Sequence, residues 1–410
     1  MPTHSPNHPS SNPSLRSLPD RPNLQHLKNQ AKDLLNAGDA ASLSEAQLAI
    51  ARLYGFPSWP KLKGHVDSLE EIGQLKSAID ANDFGRVKQL MTRNPELHRA
   101  PLGYSKNGPL TWVAECRVPW EPPSPTRLAM AKWMIENGSD VHQGGEGPLM
   151  RAALMGYRIP MMELLVAHGA GVNAEWSGYF PILFAPCETV EPAPIRWLLE
   201  HGANPNCAKA ERKYPGTALD QVISSYGRSR QLGECIDILM EAGGTTRFNA
   251  PAVLDLLRGR MDLLAQHLDA DPGLLKRRFP ELDFGVTGAR MLTLRDATLL
   301  HVAAEYGNVE AATLLLDRGA DVNARASVSE AGVGGQTAIF HAVTQYGDWG
   351  LPVAELLLNR GVDLSIHVKL PGHYERPGEI VERTPLGYAV LFPGGENKVT
   401  SLLRDHGAKE

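Results

Sequence analysis

Three side chains of this chain have the right chemistry to move a proton: Glu115, Glu305 and His341. A carboxylate or an imidazole acts as general acid or base once it stands within hydrogen-bond reach of a substrate. All three occupy corresponding places of a pattern that recurs along the chain, so a fold that stacks the copies brings those places to one face. Read copy by copy, one place holds Trp112, Arg151, Phe184, Gln221, Val302, His341 and Tyr388. The place three residues later holds Glu115, Leu154, Cys187, Ser224, Glu305, Thr344 and Leu391. Four rings in seven is a high share for a chain that is 6% aromatic. Exposed aromatics beside an arginine are the usual anchors of a binding surface. Rings packed inward between neighbouring copies are the alternative.

Other chemical motifs are missing. There is no G-x-x-x-x-G-K-[ST] phosphate loop, no H-E-x-x-H zinc helix and no G-x-S-x-G nucleophile elbow. No cofactor and no bound metal is therefore expected. Gly332-Val333-Gly334-Gly335 is glycine-rich but precedes a capped helix, and it reads as a flexible loop. Asn137-Gly138-Ser139 matches a glycosylation acceptor, which means little without a secretion signal. Cys116, Cys187, Cys207 and Cys235 include no C-x-x-C pair, and their spacing fits neither a zinc site nor a disulfide framework. They read as packed or free thiols in a reducing compartment.

The bulk properties narrow the choice further. A length of 410 residues suggests several domains or a repeat array. With 42% hydrophobic and 21% charged residues, most of the chain can fold. A net charge of −5 carries no basic footprint, so no nucleic acid is expected as a partner. Residues 1–18 are rich in Pro, Ser, Asn and His and lack the apolar stretch of a secretory signal. No apolar run reaches the roughly 18 residues of a membrane span. A cytoplasmic location follows, with no membrane partner.

The elements that must position the candidate residues are set by two recurring phrases. One reads Leu314-Leu315-Leu316-Asp317-Arg318-Gly319-Ala320-Asp321-Val322-Asn323-Ala324 and returns at 164–174, 198–206, 356–364 and 402–408, with weaker copies at 133–141 and 238–244. The other, Thr298-Leu299-Leu300-His301-Val302-Ala303-Ala304, precedes it and has relatives at 108–114, 147–153, 180–186, 217–223, 337–343 and 384–390. Thr217, Thr298, Thr337 and Thr384 are suited to cap a first helix. Pro109, Pro148, Pro181 and Pro385 follow the cap position, where a missing N–H does no harm. A second helix with leucines at helical spacing ends at Gly138, Gly169, Gly202, Gly243, Gly319, Gly361 and Gly407, which tolerate the left-handed conformation. The Asp-x-Asn that follows suits a turn to the next copy.

These phrases resemble the ankyrin pattern T-P-L-H-x-A-A…L-L-L-x-x-G-A-D-x-N-A over residues 72–410. The resemblance implies an all-α ankyrin-repeat solenoid in which the ring-bearing place faces the concave surface. It also implies that His301, in the T-x-L-H slot, bonds adjacent turns rather than a substrate; Thr111, Met150, Leu183, Asp220, Phe340 and Gly387 stand there in the other copies. The long interval between Gly243 and Gly319 hides a degenerate repeat at 251–279, laid out like 75–97: a helix, a glycine, a second helix, then Asp271-Pro272 or Asn94-Pro95. Nine repeat-like units are expected, two of them degenerate. Each degenerate unit opens a series, which suggests two arrays, 72–247 and 248–410; one continuous stack is the other reading.

Insertions lengthen the link between helices at 117–126, 188–194, 226–233, 347–352 and 392–397. Others lengthen the inter-repeat hairpin at 207–216, 284–296, 325–335 and 366–383. In repeat proteins insertions map to one face, which often binds. Trp120, Trp176, Tyr179, Trp349 and Tyr374 are then candidates for a rim over the ring-bearing groove. Residues 20–71 read as three helices, with Leu27 to Leu35 and Tyr54-Gly55-Phe56-Pro57-Ser58-Trp59 resembling a segment found ahead of ankyrin repeats in some bacterial proteins. Its expected role is to cap the solenoid; residues 1–19 form a disordered tail ahead of it.

The expected function is protein–protein recognition by an unidentified partner on the concave, aromatic-lined face, through Trp112, Arg151, Phe184, His341, Tyr388, Glu115 and Glu305. The alternative is a small-molecule or carbohydrate-binding protein, or an enzyme, that uses the same groove and the inserted loops. The fold is shared by many binders and does not name the partner.

Overall fold

The computed structural model describes residues 15–19, 22–102, 106–115, 121–144, 147–176, 180–208, 216–225, 229–248, 250–282, 292–345, 347–373, 375–391 and 397–410; the side chain of Trp176 is not among what is described. It is mostly helical. Contacts group the chain into two compact units, Met1–Gly144 and Gly145–Glu410.

The first unit holds α1 (Leu24–Asn36), α2 (Leu43–Leu53), α3 (Trp59–Asp80), α4 (Phe84–Arg93), α5 (Pro109–Glu115) and α6 (Pro125–Glu136). Asn23 caps α1 by accepting from His26 N, and Ser42 caps α2 by accepting from Glu45 N. Glu45 reaches back to Ala41 N. Leu27, Ala31, Ile50, Leu62 and Val66 make a small core, with Trp59 half-buried against it. Arg16 N donates to the Leu53 carbonyl, so the residues just before α1 are tied to α2. The third of the helices expected within residues 20–71 instead continues to Asp80 and becomes the first helix of the next pair. Leu69-Glu70-Glu71-Ile72 and Gln74-Leu75 are strong helix formers, and the single Gly73 between them is too small a penalty to end the helix.

The second unit continues the pairing. Its helices are α7 (Gly147–Ala153), α8 (Ile159–Ala167), α9 (Phe184–Thr189), α10 (Pro192–Glu200), α11 (Ala218–Ile223), α12 (Leu232–Glu241), α13 (Pro251–Leu257), α14 (Met261–Ala270), α15 (Leu299–Glu305), α16 (Val309–Asp317), α17 (Ala338–Val343), α18 (Leu351–Asn359), α19 (Pro385–Ala389) and α20 (Lys398–Asp405). Each odd-numbered helix from α3 onward packs on the even-numbered helix after it. First helices stack on first helices, as α15 on α17 and α17 on α19, and second helices on second, as α16 on α18 and α18 on α20. Small alanines line the first-helix contacts: Ala152, Ala153, Ala303, Ala304 and Ala342 are all buried. The hidden pair is α13–α14, and the helical turns Pro95–Arg99 and Pro272–Leu275 close the two degenerate units in the same way. In each, the side chain before the proline, Asn94 or Asp271, accepts from the N–H two residues on.

Repeat ends are stitched by one device. The seven terminal glycines all have positive φ, from 76° at Gly361 to 115° at Gly138, a region open to glycine at little cost. After them Asp140, Asn204, Asp321 and Asp363 each accept from the backbone N–H two residues on, closing an Asx turn. The asparagines then reach the next repeat. Asn173 donates to the Gly202 carbonyl and accepts from Asn204 N, both at 2.8 Å. Asn206 does the same with Gly243 and Thr245, and Asn323 accepts from Asp363 N. The unit runs on through Gly243 and Gly244, where charge assists the join. Arg258 and Arg260 bond the two oxygens of Asp237 at 2.5 and 2.7 Å, and Tyr306 Oη donates to the Ile223 carbonyl at 2.5 Å. Burial works to raise the Asp237 carboxyl, but the two guanidiniums outweigh it and bring it below its ordinary value.

Capping differs among the four threonines. Thr217 and Thr384 accept from the N–H three residues on. At Thr337 that N–H, on Phe340, goes to the threonine carbonyl instead, and the buried hydroxyl has no partner. Thr298 exchanges its hydroxyl bond with His301.

Candidate functional site

The ring-bearing place proves to be mostly interior. Phe184 is 1% exposed and packs edge-on against Phe180, centroids 5.5 Å apart. Tyr388 is 0% exposed: its ring faces Phe340, and its hydroxyl donates to the Pro371 carbonyl at 3.0 Å. His341 is 0% exposed as well. The expectation that Phe184, His341 and Tyr388 stand open on a concave surface is thus corrected. Adjacent first helices enclose them, and Pro371 of the inserted hairpin meets Tyr388, because a large ring at this place fills the space between neighbours. Trp112 and Arg151 remain half-buried. The Trp112 indole N–H donates to Asp80 at 2.5 Å, and Lys76 Nζ lies 4.1 Å from the ring centroid, so α3 holds the ring from both sides. The Arg151 carbonyl accepts from the buried Arg158 guanidinium. Trp120, Tyr179 and Tyr374 lie outside the described residues, as does the Trp176 side chain, and Trp349 is half-buried against Gly307.

Two of the three acid–base candidates do meet. His341 Nδ1 lies 2.7 Å from Glu305 Oε2, and both side chains are buried. A carboxylate bonded to one ring nitrogen fixes the imidazole and leaves the other nitrogen for a proton; here that nitrogen, Nε2, is buried with no hydrogen-bond partner. General acid–base work needs a substrate atom about 3 Å away, and a ring with no exposed surface does not meet one in this conformation. Glu115 is buried too and belongs to the other unit. His301 behaves as the T-x-L-H slot implies: Nε2 donates to the Gln336 carbonyl of the next repeat, and Nδ1 pairs with Thr298. Burial, helped by His341 nearby, holds its imidazole down at about 3. Glu305, His301, His341 and Gln345 thus form a buried polar seam between α15 and α17.

Exposed large apolar side chains lie elsewhere: Leu15, Leu43 and Leu69 in the first unit, Met240 on α12, and Val328 and Ile380 on the inserted inter-repeat hairpins. Strands β3 (Val368–Pro371) and β4 (Ile380–Arg383) pair antiparallel, with Lys369 opposite Glu382 and Pro371 opposite Ile380. Val368 and Leu370 are buried, while Lys369, Ile380 and Glu382 are exposed, so the hairpin has an inner and an outer face. It is joined to the preceding hairpin: Gly334 N donates to the Lys369 carbonyl at 2.8 Å, and Gly334 also bridges to Val328. That hairpin is joined in turn to the one before, by Ser327 N to the Asp296 carbonyl. Opposed residues share a face, so Val328, Gly334, Lys369 and Glu382 form one outward row, with Ile380 beside it. Val328 is 56% and Ile380 49% exposed. Gly334 cannot carry a side chain, since its φ is 118° and a Cβ would fall 2.3 Å from the Ser327 carbonyl oxygen.

Sequence reasoning located these hairpins only as long loops and read residues 332–335 as flexible. The available signal was the alternation in Val368-Lys369-Leu370 and Ile380-Val381-Glu382 on either side of Pro377-Gly378. Smaller pairings recur at the other inserts: β1 (Glu175–Trp176) with β2 (Phe180–Pro181), and bridges Ala208–Thr217 and Phe279–Ala297. Among the described residues Cys187 and Cys235 are buried and Cys207 is half-buried, Cys116 lying outside them. Burial pushes the Cys207 and Cys235 thiols up to about 12, which keeps them in the unreactive protonated form. No described helix is long and apolar enough to cross a membrane.

No curated protein matches the chain significantly. Residues 280–369, which include α15 to α18 and the first two linked hairpins up to β3, match the family model described as ankyrin repeats, three copies. With this match and the Thr298-to-Ala304 and Leu314-to-Ala324 phrases within it, the chain is an ankyrin-repeat protein.

Proposed function

We propose that the chain is a protein-recognition module: an ankyrin solenoid, closed at one end by the helices of residues 22–71, that meets its partner on the outer face of the linked hairpins 325–335 and 366–383. Ankyrin repeats are generally protein–protein interaction modules. One observation carries the choice of face. Exposed Val328 and Ile380 lie on a hydrogen-bonded platform, whereas Phe184, His341 and Tyr388 are enclosed. Apolar side chains displayed on an ordered surface and ringed by Lys369 and Glu382 have the make-up of an interface centre with a polar rim. Trp112 on α5 and Arg151 on α7 are half-buried and lie off the hairpins.

The test is affinity capture from the native lysate with wild type and the Val328→Asp/Ile380→Asp variant, both checked for helix content by circular dichroism. A protein kept by wild type and lost by the variant supports the hairpin face. Equal retention by both rejects it.

A further inference from the structure

We propose that β4 joins two copies of this chain, its outer edge pairing antiparallel with β4 of a second copy about a two-fold axis at Val381. The inference rests on the reading of the hairpins as a recognition surface and names one occupant for it.

The edge is defined by alternation. Gly334 N reaches the Lys369 carbonyl, so Lys369 turns its backbone polar groups away from β4. Gly372 N reaches the Glu379 carbonyl, so Glu379 turns toward β3. Residues opposite each other alternate in this respect along an antiparallel pair. Val381 and Arg383 therefore bond to β3, and Ile380 and Glu382 present their N–H and C=O groups outward. Every earlier junction in this platform is used, Asp296 with Ser327 and Gly334 with Lys369. Among the described residues, no backbone group bonds to the outer side of β4. Such an edge is a template for another strand.

The residues of β4 select a copy of themselves. With Ile380 and Glu382 as the outward groups, an antiparallel self-pair sets Ile380 opposite Glu382′ and Glu382 opposite Ile380′, where the prime marks the second copy. Val381 then faces Val381′, and Glu379 and Arg383 face Arg383′ and Glu379′. Both charged pairs are of opposite sign, and they fall at non-hydrogen-bonded positions, where side chains approach most closely. Both groups turn for the exchange. Glu379 bonds Arg376 through Oε1, and its Oε2 is buried beside Gly372 without a hydrogen-bond partner, so the carboxylate swings outward to meet Arg383′. Arg383 makes no ion pair among the described residues; its guanidinium covers the Glu382 carbonyl at 2.9 Å. Pairing passes that carbonyl to the Ile380′ N–H and turns the guanidinium to Glu379′. In the single chain Arg383 thus guards the edge, and in the pair it fixes the register.

Sedimentation equilibrium of the full chain tests this. The expected wild-type species is a reversible dimer of about 89 kDa, twice 44.6 kDa. Ile380→Pro removes an outward N–H and leaves the β3 ladder intact, and should give the monomer. Glu379→Arg and Arg383→Glu should each be monomeric alone and should form a one-to-one dimer when mixed, because each then supplies the charge the other lacks. This rescue cannot arise from misfolding of either variant. A monomeric wild type, or a dimer indifferent to all three substitutions, overturns the proposal. The wider reading is judged separately with Val328→Asp, which lies off the β4 edge: if the wild type is monomeric yet this variant loses a captured protein, the recognition face stands and self-pairing falls.

Discussion

Removing the Glu305 carboxylate should loosen the α15–α17 seam specifically. In Glu305→Ala, His341 keeps its fully buried place and loses the partner of Nδ1, while Nε2 already lacks one. An unsatisfied buried polar group costs about 1–3 kcal/mol, and the lost methylenes leave a small cavity worth roughly another 1 kcal/mol. The expected loss is about 3 kcal/mol, or roughly 150-fold at tenfold per 1.4 kcal/mol. Stacked repeats unfold in parts, so the assay is local: hydrogen exchange with mass spectrometry on peptides from α15 and α17. Exchange there should accelerate about 150-fold, while peptides from α1 and α2 stay unchanged. Leucine at both positions replaces the polar pair by apolar volume, and the double variant should be more stable than the sum of the single losses by about 1–3 kcal/mol. Unchanged exchange in Glu305→Ala, or strictly additive losses, would refute the view that the pair is a coupled buried unit.

Acid should weaken the same region through His301. Its folded value near 3 lies below the ordinary 6.5, so the unfolded chain takes up the proton first. The contribution is complete above pH 6.5 and declines as pH falls from there toward 3, by at most about 1.4 kcal/mol per pH unit; unfolding midpoints of His301→Gln should fall less steeply over that window. Gly334→Ala forces a Cβ against the Ser327 carbonyl at φ 118° and should cost about 1–3 kcal/mol, seen as faster exchange in residues 326–336 and 368–371 with the helices unaffected. Asn206→Ala removes bonds to Gly243 and Thr245 and should lower the denaturation midpoint, by about 1–3 kcal/mol. Cys235, buried with its thiol raised to about 12, should resist iodoacetamide at pH 8 until denaturant is added; rapid labelling of the native protein contradicts that burial.

What the sequence by itself determined is the local grammar. Gly169, Gly202, Gly319 and their equivalents end helices because left-handed backbone is a local cost. Asp321 and Asp363 close turns because their side chains reach only two residues. The paired helices, including the worn pair at Pro251–Leu257 and Met261–Ala270, follow from apolar spacing and these stops. The role of His301 came from the resemblance of its T-x-L-H slot, while its partner Gln336, 35 residues on, was set by stacking. Exposure was not legible. Phe184, His341 and Tyr388 share a repeat position with half-buried Trp112, and what encloses each one is a neighbouring repeat or a returning insert, as Pro371 does for Tyr388. The meeting of Glu305 with His341, 36 positions apart, needed the stacking distance of two helices. The linked hairpins needed Gly334 and Lys369 to be brought side by side. Short-range backbone geometry is written in neighbouring residue types; the burial of a side chain depends on which distant segment arrives beside it, and only the tertiary structure decided that.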